Sequence, residues 1–209
     1  MKAPVFVLEG IWETLLEPPH VLPYLAAYEQ SHREANVFHR TFRNQADLAY
    51  YIGRIPKGKQ AFVYVACHGQ VGVLDPSDKA SKIPATGVVE ALSAAKHQSI
   101  AFLHFGCCEF VQSEDATRRA TLSNLMQAAG AQWVSGYAKP VDWLSSMLVD
   151  LALISAVYIP WHNEPTKAAK AHRAANEFLH SYEQLARELG FSALSRLTNQ
   201  PTLFPRRLI

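Results

Sequence analysis

With 209 residues, 49% of them hydrophobic, the chain carries enough apolar surface for one ordinary globular domain with a full core. A net charge of +2 without a long basic run argues against a nucleic-acid partner, and the densest patch, Arg54-Ile55-Pro56-Lys57-Gly58-Lys59, is accounted for by a solvated turn before a strand. No uninterrupted apolar run reaches the ~18–20 residues of a membrane span; Val141–Ile159 comes closest, but Asp142, Asp150 and three serines interrupt it, and no membrane partner is expected.

The amino terminus leads straight into Pro4–Ile11, with Lys2 its only charge before Glu9 and no small-residue cleavage site, so no signal peptide is expected. Three cysteines, two of them adjacent, do not make a disulfide framework. A reducing, cytoplasmic setting is the expectation.

Val5–Ile11 reads as a first strand covered on both faces, followed by a loop, Trp12–His20, stopped by Pro18-Pro19. Val21–Arg33 has helical periodicity, with Pro23 tolerable in its first turn. Asn36–Phe42 alternates as a strand nearer the sheet edge, and Asn44 caps a helix running to Ile55. Ala61–Ala66 is a third strand. The polar stretch Gln70–Pro84 then reads as a long functional loop. A crossover helix lies within Ala85–His97, with Gly87–Lys96 its surest part, and Ile100–Gly106 is the fourth strand.

Cys108–Asp115 is a loop and Ala116–Ala129 a helix ended by Gly130 in a left-handed conformation. Trp133–Tyr137 is a fifth strand, Trp143–Ile159 an apolar helix, and Pro160–Pro165 a break. Thr166–Leu189 reads as one long amphipathic helix closed by Gly190, and the Leu203–Arg207 tail as a segment draped over the surface. Strands alternating with helices define an α/β fold, a doubly wound parallel sheet with helices on both faces. One domain is expected over 1–209, its core at about 4–159 and a C-terminal helix and tail over 164–209.

Two of these strands end abruptly in reactive side chains. Ala61–Gln70 (AFVYVACHGQ) closes on Cys67-His68-Gly69, and Ser99–Phe110 (SIAFLHFGCCEF) on Cys107-Cys108-Glu109. Strand–helix–strand crossovers are parallel and right-handed, so the two carboxyl ends are expected to lie side by side on the ligand-binding edge of the sheet. A His and a Cys so placed form a dyad. The imidazole promotes the thiolate and later protonates a leaving amine. Gly69 and the nucleophile itself can offer backbone N–H groups to an oxyanion.

A strand ending in His-Gly and, forty residues beyond His68, a strand ending in a reactive Cys is similar to the caspase-like cysteine peptidases, which include caspases, legumain, gingipains, separase and bacterial CHAT domains. The resemblance spans roughly Val5–Ile159 at fold level and implies a single-domain caspase-like parallel-sheet sandwich in flavodoxin-like order. Only YVACHG and AFLHFGCCE carry it residue by residue, and VSGYAKPVDWLSS (Val134–Ser146) resembles the strand and helix that follow the nucleophile in CHAT-type proteins. It implies His68 at the end of strand three and a Cys nucleophile at the end of strand four. In the family the nucleophile follows a small residue and precedes a polar one, so Gly106-Cys107-Cys108-Glu109 favours Cys108. Cys107 remains the alternative, since consecutive strand residues face opposite ways.

The resemblance thus implies a cysteine endopeptidase, closest in style to CHAT proteins, acting on a protein or peptide substrate through catalytic His68 and Cys108. The oxyanion would be held by Gly69 and Cys108, without metal or organic cofactor. It also implies restraint by an activating or inhibiting protein partner, with Gln70–Pro84 the natural place for it; bacterial relatives of this kind serve stress or phage defence.

Three departures stand out. Phe110-Val111 replaces the Ser-Gly of legumain-like and CHAT proteins, the caspase Gln-Ala-Cys-Arg-Gly is absent, and Glu9 and Glu13 stand where caspases and legumain carry a pocket Arg. With Asp142 the rim is expected to be acidic, so Glu13 and Asp142 are assigned to substrate binding and a basic residue is expected on the amino side of the cut. The missing Ser-Gly favours the rival reading, a catalytically inactive interaction module on the same fold. Cys67, His68, Cys107 and Cys108 could also be read as a Cys₃His zinc set, though adjacent ligands on extended strands diverge. Singly, each cysteine reads as a buried small hydrophobe, His68 as a hydrogen-bonded structural residue and His104 as a core or interface histidine.

Overall fold

The hydrophobic runs form strands buried on both faces, as their near-continuous apolar character requires. The computed structural model describes residues 2–11, 20–31, 33–58, 60–76, 82–94, 100–112, 114–163, 168–197 and 202–204. The chain runs through β1 (Ala3–Gly10), α1 (Leu22–Ser31), β2 (Ala35–Phe42), α2 (Gln45–Ile52) and β3 (Ala61–Ala66). Three short strands follow, β4 (His68–Gln70), β5 (Val73–Asp75) and β6 (Ile83–Pro84), and then α3 (Ala85–Ala94), β7 (Ile100–Phe105) and α4 (Asp115–Ala129). The last third comprises β8 (Trp133–Tyr137), α5 (Trp143–Leu153), a π-helical turn (Ile154–Tyr158), α6 (Ile159–Asn163), α7 (Ala168–Ser181), α8 (Glu183–Glu188), β9 (Phe191–Ser195) and β10 (Thr202–Phe204).

Seven strands make the main sheet in the order β10-β9-β8-β7-β3-β1-β2. From β2 to β8 the strands are parallel. β9 runs antiparallel to β8, and β10 antiparallel to β9. The parallel part, counted by appearance, reads 2-1-3-4-5, a doubly wound order in which ligands bind beyond the carboxyl ends of the strands. Helices cover both faces. α1, α5, α7 and α8 contribute to one apolar core, and α2, α3 and α4 to the other. Asn44 caps α2 by accepting the Asp47 N–H at 2.9 Å, and Gly130 ends α4 with φ +61°.

Several segments differ from the reading of the sequence. The tail is not draped: β9 and β10 extend the sheet, and Phe204 stacks on Trp133 at 5.5 Å between ring centroids. Five and three residues are too few for their periodicity to show. Gln70–Pro84 is not a plain loop either, because β4, β5 and β6 form a small antiparallel sheet there; residues 77–81 lie outside the described residues. The amphipathic stretch beyond Pro165 is two helices, α7 and α8, parted at Tyr182.

Pro160 does not break the chain, because the turn before it is wide: the Ile159 N–H reaches back five residues to the Ile154 carbonyl. A π turn there accommodates a residue that has no N–H to give. The resulting helix, Trp143–Asn163, is long and apolar enough to cross a membrane by length and composition alone. Half of its apolar window is buried inside the fold, and its inner face belongs to a sheet-facing core.

That helix is pinned by a charge. Asp150, fully buried, accepts hydrogen bonds from Tyr64 Oη at 2.6 Å and Tyr137 Oη at 2.5 Å, and lies 2.6 Å from His104 Nε2. His104 Nδ1 meets Ser135 Oγ at 2.8 Å, and Trp133 Nε1 donates to the same oxygen at 2.9 Å. Burial first, and then the Asp150 carboxylate, push both tyrosines well above their ordinary values, so the two phenols stay protonated and donate.

Two stability effects follow. Asp150→Asn presents an amide to three donors and should cost about 3–5 kcal/mol in a denaturant titration, the range for breaking a buried charged pair. Phe204→Ala should cost about 3–5 kcal/mol if β10 is part of the core, where a draped tail would lose less than about 0.5 kcal/mol.

Candidate functional site

β3 and β7 are parallel neighbours, with Val65 opposite Phe105. One rung on, the Gly106 N–H donates to the Val65 carbonyl at 2.9 Å, so the two strands leave the sheet together at its carboxyl edge. The two cysteines after Gly106 then part company. Cys107 is fully buried, its Sγ 3.5 Å from Cys67 Sγ and donating to the Val65 carbonyl at 3.4 Å. Burial, and then the neighbouring Cys67, push the Cys107 thiol well above its ordinary value. Cys108 is half-buried, and its Sγ accepts the Val141 N–H at 3.5 Å.

The His-Gly segment lies directly against this turn. A Cβ built on Gly69 would overlap the Cys108 carbonyl oxygen and stand 3.0 Å from both the Cys108 nitrogen and Cys107 Cβ. Only a residue without a side chain permits that approach. His68 is exposed at the start of β4. The structure therefore brings together His68-Gly69 and Cys107-Cys108 from strands forty residues apart in sequence, with the Gly69 and Cys108 peptides packed on one another.

The turn itself is held from two sides. Glu109 and Gln112 are non-glycine residues with φ of +53° and +63°. Left-handed conformations of this kind cost of order 1–3 kcal/mol and persist only where the surroundings impose them. Here the Glu109 N–H donates to the Lys139 carbonyl at 3.1 Å, the Glu109 carbonyl accepts the Gly72 N–H at 3.3 Å, and the Val111 N–H donates to the Tyr137 carbonyl at 3.3 Å. Phe110 and Val111 are fully buried, with the Phe110 ring 4.4 Å from that of Phe105. These two residues anchor the turn in the core.

The remaining predicted residues fare differently. Glu13 lies outside the described residues. Glu9 is not on the rim, because its buried carboxylate accepts the Val21 N–H at 2.9 Å and meets His39 Nε2 at 2.7 Å. Asp142, beside Val141, is exposed and caps α5, accepting the Ser145 N–H at 2.9 Å and hydroxyl at 2.7 Å. Those bonds, the hydroxyl's first, hold its carboxyl below the ordinary value of 3.8. The four residues weighed as a zinc set are not gathered, since Cys107 faces Cys67 inside the fold while Cys108 faces Val141. Among the described residues no group of three His, Cys, Asp or Glu converges as a metal site.

Val141 and Gly72 were invisible in the sequence as site residues, because both act through backbone amides that carry no residue signature.

No protein-family model matches the chain, and no curated protein matches it in sequence. Among solved structures, Sphingomonas wittichii serine palmitoyltransferase is similar over 65% of this chain and 29% of its own length, at 17% identity and a TM-score of 0.34. The chain thus spans less than a third of that structure, and a likeness this slight carries no functional argument.

The Asp142 cap has a pH signature. Its carboxyl is depressed in the folded state, so its contribution is complete above the unfolded value of 3.8 and is lost as pH falls through the lower folded value. Thermal melts of Asp142→Asn, which keeps the cap acceptor without the charge, should lack that acid-side loss, whereas Asp142→Ala should melt lower at neutral pH.

Proposed function

We propose that the chain is a cysteine endopeptidase of the caspase-like kind, closest in style to CHAT proteins, with Cys108 as nucleophile and His68 as its acid–base partner. One observation carries the reading: the Gly69 backbone lies on the Cys108 peptide, so the His-bearing and Cys-bearing strand ends share one rim. The parallel strand order and the burial of Cys107 away from that rim are consistent with the same assignment. The Phe110-Val111 departure, which favours an inert module, has a packing explanation, because both side chains anchor the turn.

In this mechanism His68 takes the Cys108 thiol proton and the sulfur attacks the scissile carbonyl, forming a C–S bond. The N–H groups of Gly69 and Cys108 hold the oxyanion. Collapse breaks the C–N bond, and His68 returns its proton to the departing amine. Water, deprotonated by His68, then hydrolyses the thioester and restores the thiol. A preference for a basic residue on the amino side of the cut rests on the exposed Asp142 carboxylate and on Glu13, with Glu9 withdrawn from the set. The small β4–β6 sheet, bonded to the turn through Gly72, is where a regulating partner would act. A reducing compartment such as the cytoplasm suits a site bordered by two thiols 3.5 Å apart.

Labelling by a peptide-based electrophilic probe tests the assignment. Wild type and Cys107→Ala should label, Cys108→Ala should not, and His68→Ala should label about 10²–10⁴-fold more slowly. Gly69→Ala should also lower labelling by forcing the strand ends apart. Equal rates for wild type and His68→Ala would leave the inert module as the better account.

A further inference from the structure

A concave site lies at the β2 end of the sheet order, on the face covered by α2. β2 is the terminal strand, and the β1–β2 register sets Phe6 beside Phe38 and Leu8 beside Arg40. Alternation then puts all four side chains on one face. Together with Tyr50, Tyr51 and Arg54 they enclose a cavity of about 320 Å³.

Its walls are flat. Phe6 and Phe38 stack with centroids 4.8 Å apart and planes within 15°, and Tyr50 and Tyr51 meet edge to face at 5.3 Å. Two of these rings are left to solvent: Phe38 is 40% exposed and Tyr50 54%. Single exposed aromatics are ordinary, but four converging on one cavity offer a stacking surface.

Its charge is one-sided. The Arg54 guanidinium carbon sits 4.3 Å over the Tyr50 ring, and Arg40 spends one donor on the His39 carbonyl at 2.6 Å. Among the described residues neither guanidinium has a carboxylate partner, and no acidic residue lines the cavity. Each keeps forked donors that match a phosphate bidentately.

We infer that this groove binds a mononucleotide, its base against the Phe6–Phe38 and Tyr50–Tyr51 rings and its phosphate between Arg40 and Arg54. The volume stands at the small end of ligand sites, which suits one nucleotide and excludes an oligomer. The weak net charge of +2 points the same way, because a polynucleotide would need more phosphate contacts than two arginines supply. The site is independent of His68 and Cys108, and its test does not involve proteolysis.

Calorimetric titration of the full chain with AMP, GMP and CMP, and with adenosine and ribose 5-phosphate, tests this. At least one mononucleotide should bind saturably, with adenosine and ribose 5-phosphate each about tenfold weaker or worse. Arg40→Ala, Arg54→Ala and Tyr50→Ala should each weaken that nucleotide about tenfold, and circular dichroism should be unchanged because the three side chains are exposed. Absence of saturable binding by any of the three nucleotides up to about 1 mM would overturn the inference. So would adenosine binding as tightly as AMP, or an affinity untouched in the Arg40→Ala/Arg54→Ala double variant.

Discussion

The buried carboxylate of Asp150 is the constraint on which the rest of the architecture depends. A charge taken out of water is tolerated only if its lone pairs are met, and here they are met by Tyr64 on β3, His104 on β7 and Tyr137 on β8. Three adjacent strands and the long core helix are thus tied at one point. Apolar contacts alone would let the helix slide along the sheet with little penalty. Three directional hydrogen bonds do not, and Ser135 with Trp133 extends the same fixation along β8.

That fixation reaches the rim. Tyr64 stands under Gly106, where a Cβ would lie 2.7 Å from its ring. The chain therefore leaves β7 over a ring whose hydroxyl is already committed to Asp150. From there it can enter the Cys107–Gln112 turn in only a few ways, and the turn's left-handed Glu109 is imposed by backbone bonds to Lys139 and Gly72. Tyr64 thus touches both the buried carboxylate and the residue from which the turn departs.

Four of the five parallel strands were legible as short, continuous apolar runs bounded by breakers, and β2 by its alternation, as an edge strand half open to solvent requires. Caps were legible for the same reason of necessity: Asn44 and Gly130 do jobs few residues can do. The short strands were not, because β4, β5, β6 and β10 have two or three residues each, too few for an alternation to show. At the site, the His-Gly and Cys-Cys pairs could be read from the ends of their strands. Glu9 misled, since a carboxylate at a strand end looks like a rim residue until His39 and the Val21 amide are seen to hold it inside. Asp142 could be read two ways, because Asp before an apolar helix is a cap signal as much as a binding signal, and the cap is formed.

The two ends of the sheet are built differently. Next to β8 the chain adds β9 and β10, so the edge nearest the Asp150 cluster is covered by its own tail. Next to β1, among the described residues, the sheet ends at β2, and an edge strand is a hazard for pairing with another chain. β2 blunts that hazard with His39, Arg40 and Thr41, yet it also turns Phe38 outward onto Phe6. An edge designed only to repel other strands would gain nothing from an exposed aromatic stack flanked by two guanidiniums that, among the described residues, have no carboxylate partner. The stack and the Arg54–Tyr50 contact pack this face locally, while Phe38 and Tyr50 still leave much of their ring surface to solvent.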